Sequence, residues 1–359
     1  MRPQLPSARD LLPYLSRIDA SRQYSNAGPL LAEFEARLAE KFGVEANQVA
    51  CVANATLGLV LCLRAVVPHQ RGKCILPSWT FEATAAAVRA AGLDPWFHDV
   101  SESTWALGAD DLLAFCEGDA AAAAAVVAVC PFGAHVDLAR WDAFSAKTGI
   151  PAIIDAAAGF DSLTPGRTPS VLSLHATKLL STGEGGAVIS TDSGFIDRIR
   201  YLANFGFQPP RRILLSGINA KMSEYAAAVG LAGLDGWPAK RRAIAERAGL
   251  YQDLIGRQNG VTLAPGFGAA ALQPTCNVRL AAQRADALIT WLAEHRVAAR
   301  KWWDNGCHRQ PAFGNCPRTA LPVTEALAES VVGLPFFADI EPQQISRVAA
   351  VVGEFAARA

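Results

Sequence analysis

The stretch Ser173-Leu174-His175-Ala176-Thr177-Lys178-Leu179-Leu180-Ser181-Thr182-Gly183-Glu184-Gly185-Gly186 sets one lysine between small and hydroxyl side chains and a glycine pair. An amine in such a setting can form an imine with a carbonyl. Upstream lies Ile153-Ile154-Asp155, an apolar run that ends in an acid. Working outward, further short apolar runs bounded by Pro, Gly or Asp cover residues 73–77, 126–131, 171–174 and 186–191. Each is the length of a buried strand. Helical patterns alternate with them. Leu30, Phe34, Leu38 and Phe42 recur every four residues and Gly43 closes the run, while 57–67 and 136–147 repeat the pattern, the latter before Gly149. Strands alternating with helices predict an α/β fold with a mainly parallel, doubly wound sheet. Ligands of such sheets bind at the carboxyl ends of strands, where Asp155 falls.

The bulk composition agrees with a folded, neutral protein. The chain has 359 residues, 51% of them hydrophobic, enough for a sizeable core. Its 33 basic and 33 acidic side chains cancel, which argues against a nucleic-acid partner, since that function calls for a basic excess. The apolar segment at 120–130 is too short to span a bilayer, so no membrane role is expected. Residues 120–125 are an alanine run, read as a helical or loop lead-in to the strand that follows. The first residues carry no apolar stretch for export, and the eight cysteines are scattered without a Cys-x-x-Cys pair. Reduced, buried thiols and a cytoplasmic location are therefore expected. His69, His98, His135, His295 and His308 show no metal-ligand spacing, and no metal is expected.

After Trp237-Pro238 the pattern changes. A charged amphipathic helix at 239–255, an apolar run at 276–280, a helix at 286–294 and a closing helix at 342–355 point to a smaller α+β unit. The expected division is a large domain at 1–238 and a small one at 239–359.

A phosphate-bearing pyridine aldehyde, pyridoxal 5'-phosphate (PLP), needs four things from a protein. Lys178 offers the amine. Asp155 offers an anion against the ring nitrogen, favouring its protonated form. Asn54-Ala55-Thr56 precedes a helix, so Asn54 as cap would leave free amides for the phosphate, with the hydroxyls of Thr56 and Ser173 beside them. Pro77-Ser78-Trp79-Thr80-Phe81 offers two aromatics for the ring face. Each feature alone has an ordinary structural reading: a turn-capping acid, a surface lysine, a capped helix, core aromatics. It is their combination that points to a cofactor site.

These residues resemble the nucleotide-sugar aminotransferases, fold-type I PLP enzymes. The likeness runs through Tyr24-Ser25-Asn26-Ala27-Gly28-Pro29, Asn54-Ala55-Thr56, Pro77 to Phe81, Pro131-Phe132-Gly133, Ile154-Asp155-Ala156-Ala157, residues 173–186, Asn204-Phe205-Gly206 and Asn219-Ala220-Lys221-Met222-Ser223-Glu224, and weakens after about residue 240. It implies that Lys178 is the imine lysine and Asp155 the partner of the pyridine nitrogen. It also implies that Phe81 stacks on the ring and that Ala55, Thr56 and Ser173 hold the phosphate. Asn219 would reach the cofactor phosphate of a neighbouring subunit, so that the sites form only in a homodimer. His175 and Glu184 are candidates for substrate contact. The implied reaction moves an amino group from L-glutamate to a nucleotide-linked keto-deoxy sugar. One departure is Ala158, which stands where the family usually has a glutamine near the cofactor's phenolic oxygen.

Other readings remain open at this point. A sugar dehydratase on this scaffold carries a histidine where Lys178 stands. A non-catalytic cofactor-binding regulator would keep the fold without turnover. A desulfurase would need a reactive cysteine, for which Cys307 and Cys316 are the candidates.

Overall fold

The structure is a computed structural model describing residues 2–116, 123–210, 212–268, 270–281 and 284–358. Seven strands form the main sheet: β1 (Val49–Val52), β2 (Lys73–Pro77), β3 (Asp94–His98), β4 (Ala123–Val129), β5 (Ala152–Asp155), β6 (Ser170–Ser173) and β7 (Gly186–Ile189). Their order is β1-β7-β6-β5-β4-β2-β3. The run from β6 to β3 is parallel, and only β7 lies antiparallel to its neighbours β1 and β6. The expected mainly parallel α/β sheet is therefore what the chain forms. Of the alanine run, residues 120–122 lie outside the described residues, and 123–125 already belong to β4.

The central strands are mostly apolar and buried because helices cover both faces. Alternate side chains enter opposite cores: Val126, Ala128 and Ile154 join one, and Ala125, Val127 and Ile153 the other. The helices that precede, link and follow these strands are α1 (Ala8–Ser21), α2 (Pro29–Phe42), α3 (Ala55–Val66), α4 (Glu82–Ala90), α5 (Ala109–Cys116), α6 (Leu138–Thr148) and α7 (Ser193–Ala203). Gly43 and Gly149 close α2 and α6 in the left-handed region, at φ 66° and 72°. α3 lies between α4 and α7 and is buried from Gly58 to Leu63, which explains its nearly continuous apolar sequence. A Cβ on Gly58 would lie 2.8 Å from the Val171 side chain, so the glycine lets α3 lie close on the sheet.

The next helix, α8 (Glu224–Ile255), corrects the sequence reading. It is one element of 32 residues and passes through Pro238, where the sequence suggested a helix start. α1, α2 and α11 (Pro342–Ala356) pack along it. Proline lacks only one donor, and packing over this length outweighs its local cost. Beyond α8 comes a three-stranded antiparallel sheet of β10 (Val261–Leu263), β11 (Cys276–Leu280) and β12 (Val331–Leu334). It is accompanied by α9 (Ala285–Glu294), α10 (Pro322–Ser330) and α11. A small hairpin, β8 (Phe207–Gln208) with β9 (Arg212–Ile213), precedes α8. No helix among the described residues is long and apolar enough to cross a membrane.

Candidate active site

Asp155 is the last residue of β5 and is 6% exposed. Its Oδ2 accepts the Thr84 hydroxyl at 2.7 Å and its Oδ1 the Ala157 amide at 3.1 Å. Burial pushes its carboxyl above the usual range, while the Thr84 bond, the Ala157 bond and the charge of Lys178 oppose that push. Among the described residues no ion-pair partner touches this carboxylate. A buried carboxylate of this kind is stabilised by a cation brought to it.

Lys178 stands in the loop that returns β6 into β7. Internal backbone bonds tie that loop: Leu174 N–H to Gly185 O at 2.9 Å, Ala176 N–H to Gly183 O at 2.8 Å, and Lys178 N–H to His175 O at 2.9 Å. Gly183, at φ +84°, supplies the left-handed turn. Lys178 is half-buried. Burial pushes its ammonium below the ordinary lysine range, and Asp155 pulls it back. A neutral amine, the nucleophilic form, is thereby made more accessible. Lys178 also lines a small cleft with Thr177, Lys240, Phe336 and Phe337, where the large sheet's loop meets the C-terminal half.

Helix α3 opens as its sequence suggested. Asn54 caps it by accepting the Leu57 amide at 2.9 Å. The amides of Ala55 and Thr56 are then among the helix's unsatisfied donors, at its positive end. Gly186 runs beneath this turn: a Cβ there would lie 2.7 Å from the Ala55 nitrogen. Ser173, at the end of β6, is 8% exposed, and its hydroxyl accepts the His175 amide at 3.3 Å. The Ala53 amide donates to the Ala220 carbonyl at 2.8 Å, which sets the Asn219 segment beside the same turn. Asn219 itself is exposed.

The two aromatics after β2 part company. Trp79 is a core residue at 2% exposure, edge-on to Phe132 and Trp303, whereas Phe81 is 57% exposed at the cap of α4. Only Phe81 has a ring face free for a ligand. Trp303 stacks on Phe132 at 3.9 Å, so it too is core. His175 and Glu184 are brought together, Nε2 to Oε1 at 3.7 Å, with both side chains partly exposed. Arg212 is exposed on β9, and Arg211 lies outside the described residues.

Several residues around the site carry no signal in the sequence reading. Thr80 and Thr84 join their hydroxyls at 2.8 Å. Ser78 meets His308 Nδ1 at 2.8 Å, and the Cys307 thiol donates to the Thr80 carbonyl at 3.5 Å. All eight cysteines are buried and unbridged. Burial holds the Cys307 thiol up at about 12, which disfavours the thiolate that a desulfurase nucleophile requires.

The model of the DegT/DnrJ/EryC1/StrS aminotransferase family matches residues 7–353. The chain belongs to this family. Among its DegT/DnrJ/EryC1/StrS relatives, a dTDP-4-amino-4,6-dideoxy-D-glucose transaminase of Escherichia coli is 26% identical, covering 97% of this chain and 95% of its own. A UDP-N-acetyl-3-dehydro-alpha-D-glucosamine 3-aminotransferase of Acidithiobacillus ferrooxidans is 30% identical over 93% and 90%. The crystal structure of DesI, analysed in the presence of its TDP-sugar product, superposes with a TM-score of 0.88 at 32% identity, covering 99% of this chain and 92% of that one. The fold is thus the fold-type I architecture of PLP-dependent aminotransferases, as the sequence suggested, and the protein is an aminotransferase.

The residues present fit pyridoxal phosphate. A buried carboxylate without an ion-pair partner suits a pyridinium nitrogen. A turn of free amides, held close to Gly186, suits a phosphate.

Proposed function

We propose that this aminotransferase uses PLP to move an amino group from L-glutamate to the keto group of a keto-deoxy sugar carried on a nucleoside diphosphate. The observation that carries the reading is the buried Asp155 at the end of β5, with Lys178 in the loop that leaves the adjacent strand β6, beside the open turn of α3. Bound PLP supplies an electron sink for the carbon that loses its proton. Asp155 keeps the ring nitrogen protonated by its charge. The Ala55 and Thr56 amides hold the phosphate, with the hydroxyls of Thr56 and Ser173. Phe81 covers one ring face. Lys178 would hold the cofactor through its amine, and its Nζ would serve as the group that takes up and returns the donor's α-proton, as general base and general acid.

His175 and Glu184 stand at the rim of this site and serve the substrate. Asn219 serves the phosphate site of a second subunit in a homodimer. Support comes from its exposure beside the Ala53–Ala220 bond and from the exposed rings of Tyr24, Phe205 and Tyr225. The division at 238 then marks where a small domain departs from the shared helix α8. The relatives are named for nitrogen at the 4-position and at the 3-position of the sugar, so the test is a panel of nucleotide-linked 3-keto and 4-keto sugars with glutamate, followed by product mass and NMR. Amination of one of them supports the reading. Turnover of none, with cofactor bound, overturns it.

A further inference from the structure

The buried hydroxyls of Thr80 and Thr84 form a chain that ends on Asp155. Each threonine is 1% exposed. Thr84 donates to Asp155 Oδ2 at 2.7 Å. A hydroxyl has one proton, so in the 2.8 Å contact between the two threonines Thr80 is the donor. The direction of the chain is thereby fixed: Thr80 to Thr84 to carboxylate. Thr80 is itself held from behind. The Cys307 thiol donates to its carbonyl at 3.5 Å, the Cys307 amide to the Ser78 carbonyl at 2.9 Å, and the His308 amide to the Ser78 hydroxyl at 3.1 Å. On the other side, the Ala157 amide donates to Asp155 Oδ1 at 3.1 Å.

We propose that Thr84, oriented by Thr80, is a positioning residue for transamination: its hydroxyl fixes the plane of the Asp155 carboxylate and keeps it ionised against the cofactor ring. This rests on the aminotransferase reading above. The physical reason is the asymmetry of buried polar groups. A buried carboxylate that loses one of two donors turns about its last torsion and takes up a proton more readily. A protonated Asp155 is no counter-charge for a pyridinium. The alternative is that Thr84 only fills space in the first turn of α4, and Thr84→Val keeps that volume while removing the hydroxyl.

The experiment compares wild-type holoenzyme with Thr84→Val, Thr84→Ser and Thr80→Val. It measures PLP affinity, the pH titration of bound-cofactor absorbance, and kcat and KM. In Thr84→Val we expect kcat to fall roughly 10- to 100-fold. The KM for glutamate should stay within about twofold, because the loss lies in the reacting complex and not in substrate binding. The absorbance titration should shift. Thr84→Ser should restore both readouts, and Thr80→Val should show a smaller change in the same direction. A space-filling role moves the melting temperature and leaves the absorbance titration in place. A folded Thr84→Val with wild-type titration and kcat overturns the proposal. Should that variant not fold, Thr84→Ala and Thr80→Val take the same measurements, and unaltered titration in either overturns it equally. A wild-type protein whose bound-cofactor absorbance does not depend on Lys178 brings down the aminotransferase reading itself. A sound wild type with an indifferent Thr84→Val brings down this inference alone.

Discussion

The site has two unlike ends. At the inner end, Asp155, Thr84 and Thr80 are buried and, with the Ala157 amide, joined by hydrogen bonds of 2.7–3.1 Å within one chain. At the outer end, Phe81 is 57% exposed, Asn219 is open to solvent, and His175 Nε2 and Glu184 Oε1 meet at 3.7 Å. The inner end is built to fix charge, because an unsatisfied buried group costs more than a satisfied one contributes. On the proposed reading, the outer end is left to be finished by substrate or by a second subunit. Cofactor chemistry should thus be sensitive to single atoms inside, and substrate choice to whole side chains at the rim.

The largest effect is expected at the junction of the two. Lys178→Ala removes the amine proposed as anchor and proton carrier, and acid–base catalysis alone is worth on the order of 10²–10⁴-fold. We expect the covalent cofactor absorbance to vanish and turnover to fall by at least that much. Retention of either would break the division into an inner chemical end and an outer binding end. Next, Asp155→Asn keeps the shape and removes the charge. Loss of such an electrostatic partner typically costs about 10²–10³-fold in kcat. Single-turnover kinetics with pre-bound cofactor would isolate it, and a change confined to substrate KM would place Asp155 at the wrong end.

A middle-sized effect is expected at Gly186. In Gly186→Ala the new methyl meets the Ala55 nitrogen at 2.7 Å, a backbone atom that cannot swing aside. Overpacking of this kind costs about 1–3 kcal/mol, and PLP affinity should fall with it. Equilibrium unfolding and cofactor titration together measure both parts. Smaller still, Glu184→Gln should leave stability within about 1 kcal/mol, as exposed ion pairs contribute little. Its effect should appear in the KM of the sugar nucleotide. A large loss of kcat there, with KM unchanged, would make the rim part of the chemistry.

The last test concerns the brace behind the inner end. His308 is 4% exposed, and burial, followed by Arg309, lowers its pKa below the ordinary 6.5, with Glu325 acting the other way. The folded protein thus binds this proton less readily than the unfolded chain. The resulting stability is full above pH 6.5 and drains away as pH falls through the lowered folded value. Melting temperatures between pH 7 and 5 should drop less in His308→Gln than in the wild type. Equal slopes would show that the brace does not titrate.

Much of this was legible in the residues. The periodicity around Phe34 and in 57–67 gave α2 and α3, and β2 at 73–77 and the acid at the end of β5 fell where apolar runs met Pro or Asp. In the main sheet, the two strands not legible in the sequence are the two at its edges, β1 and β3, and β3 contains Pro95, which is tolerated at an edge. Pro238 misled in the opposite sense, since its local cost is overridden by packing along α8.

The sequence by itself determined the chemistry: an amine at 178, an acid at 155 and a capped helix at 54–56, because residue type sets charge, nucleophilicity and local turns. It could not say that Trp79 is core while Phe81 is exposed, or that Cys307 and His308 brace Ser78 and Thr80 from more than 200 residues away. It gave no sign that Thr84 donates to Asp155. Those are facts of tertiary structure, since burial and hydrogen-bond partnership depend on which distant elements the fold brings together.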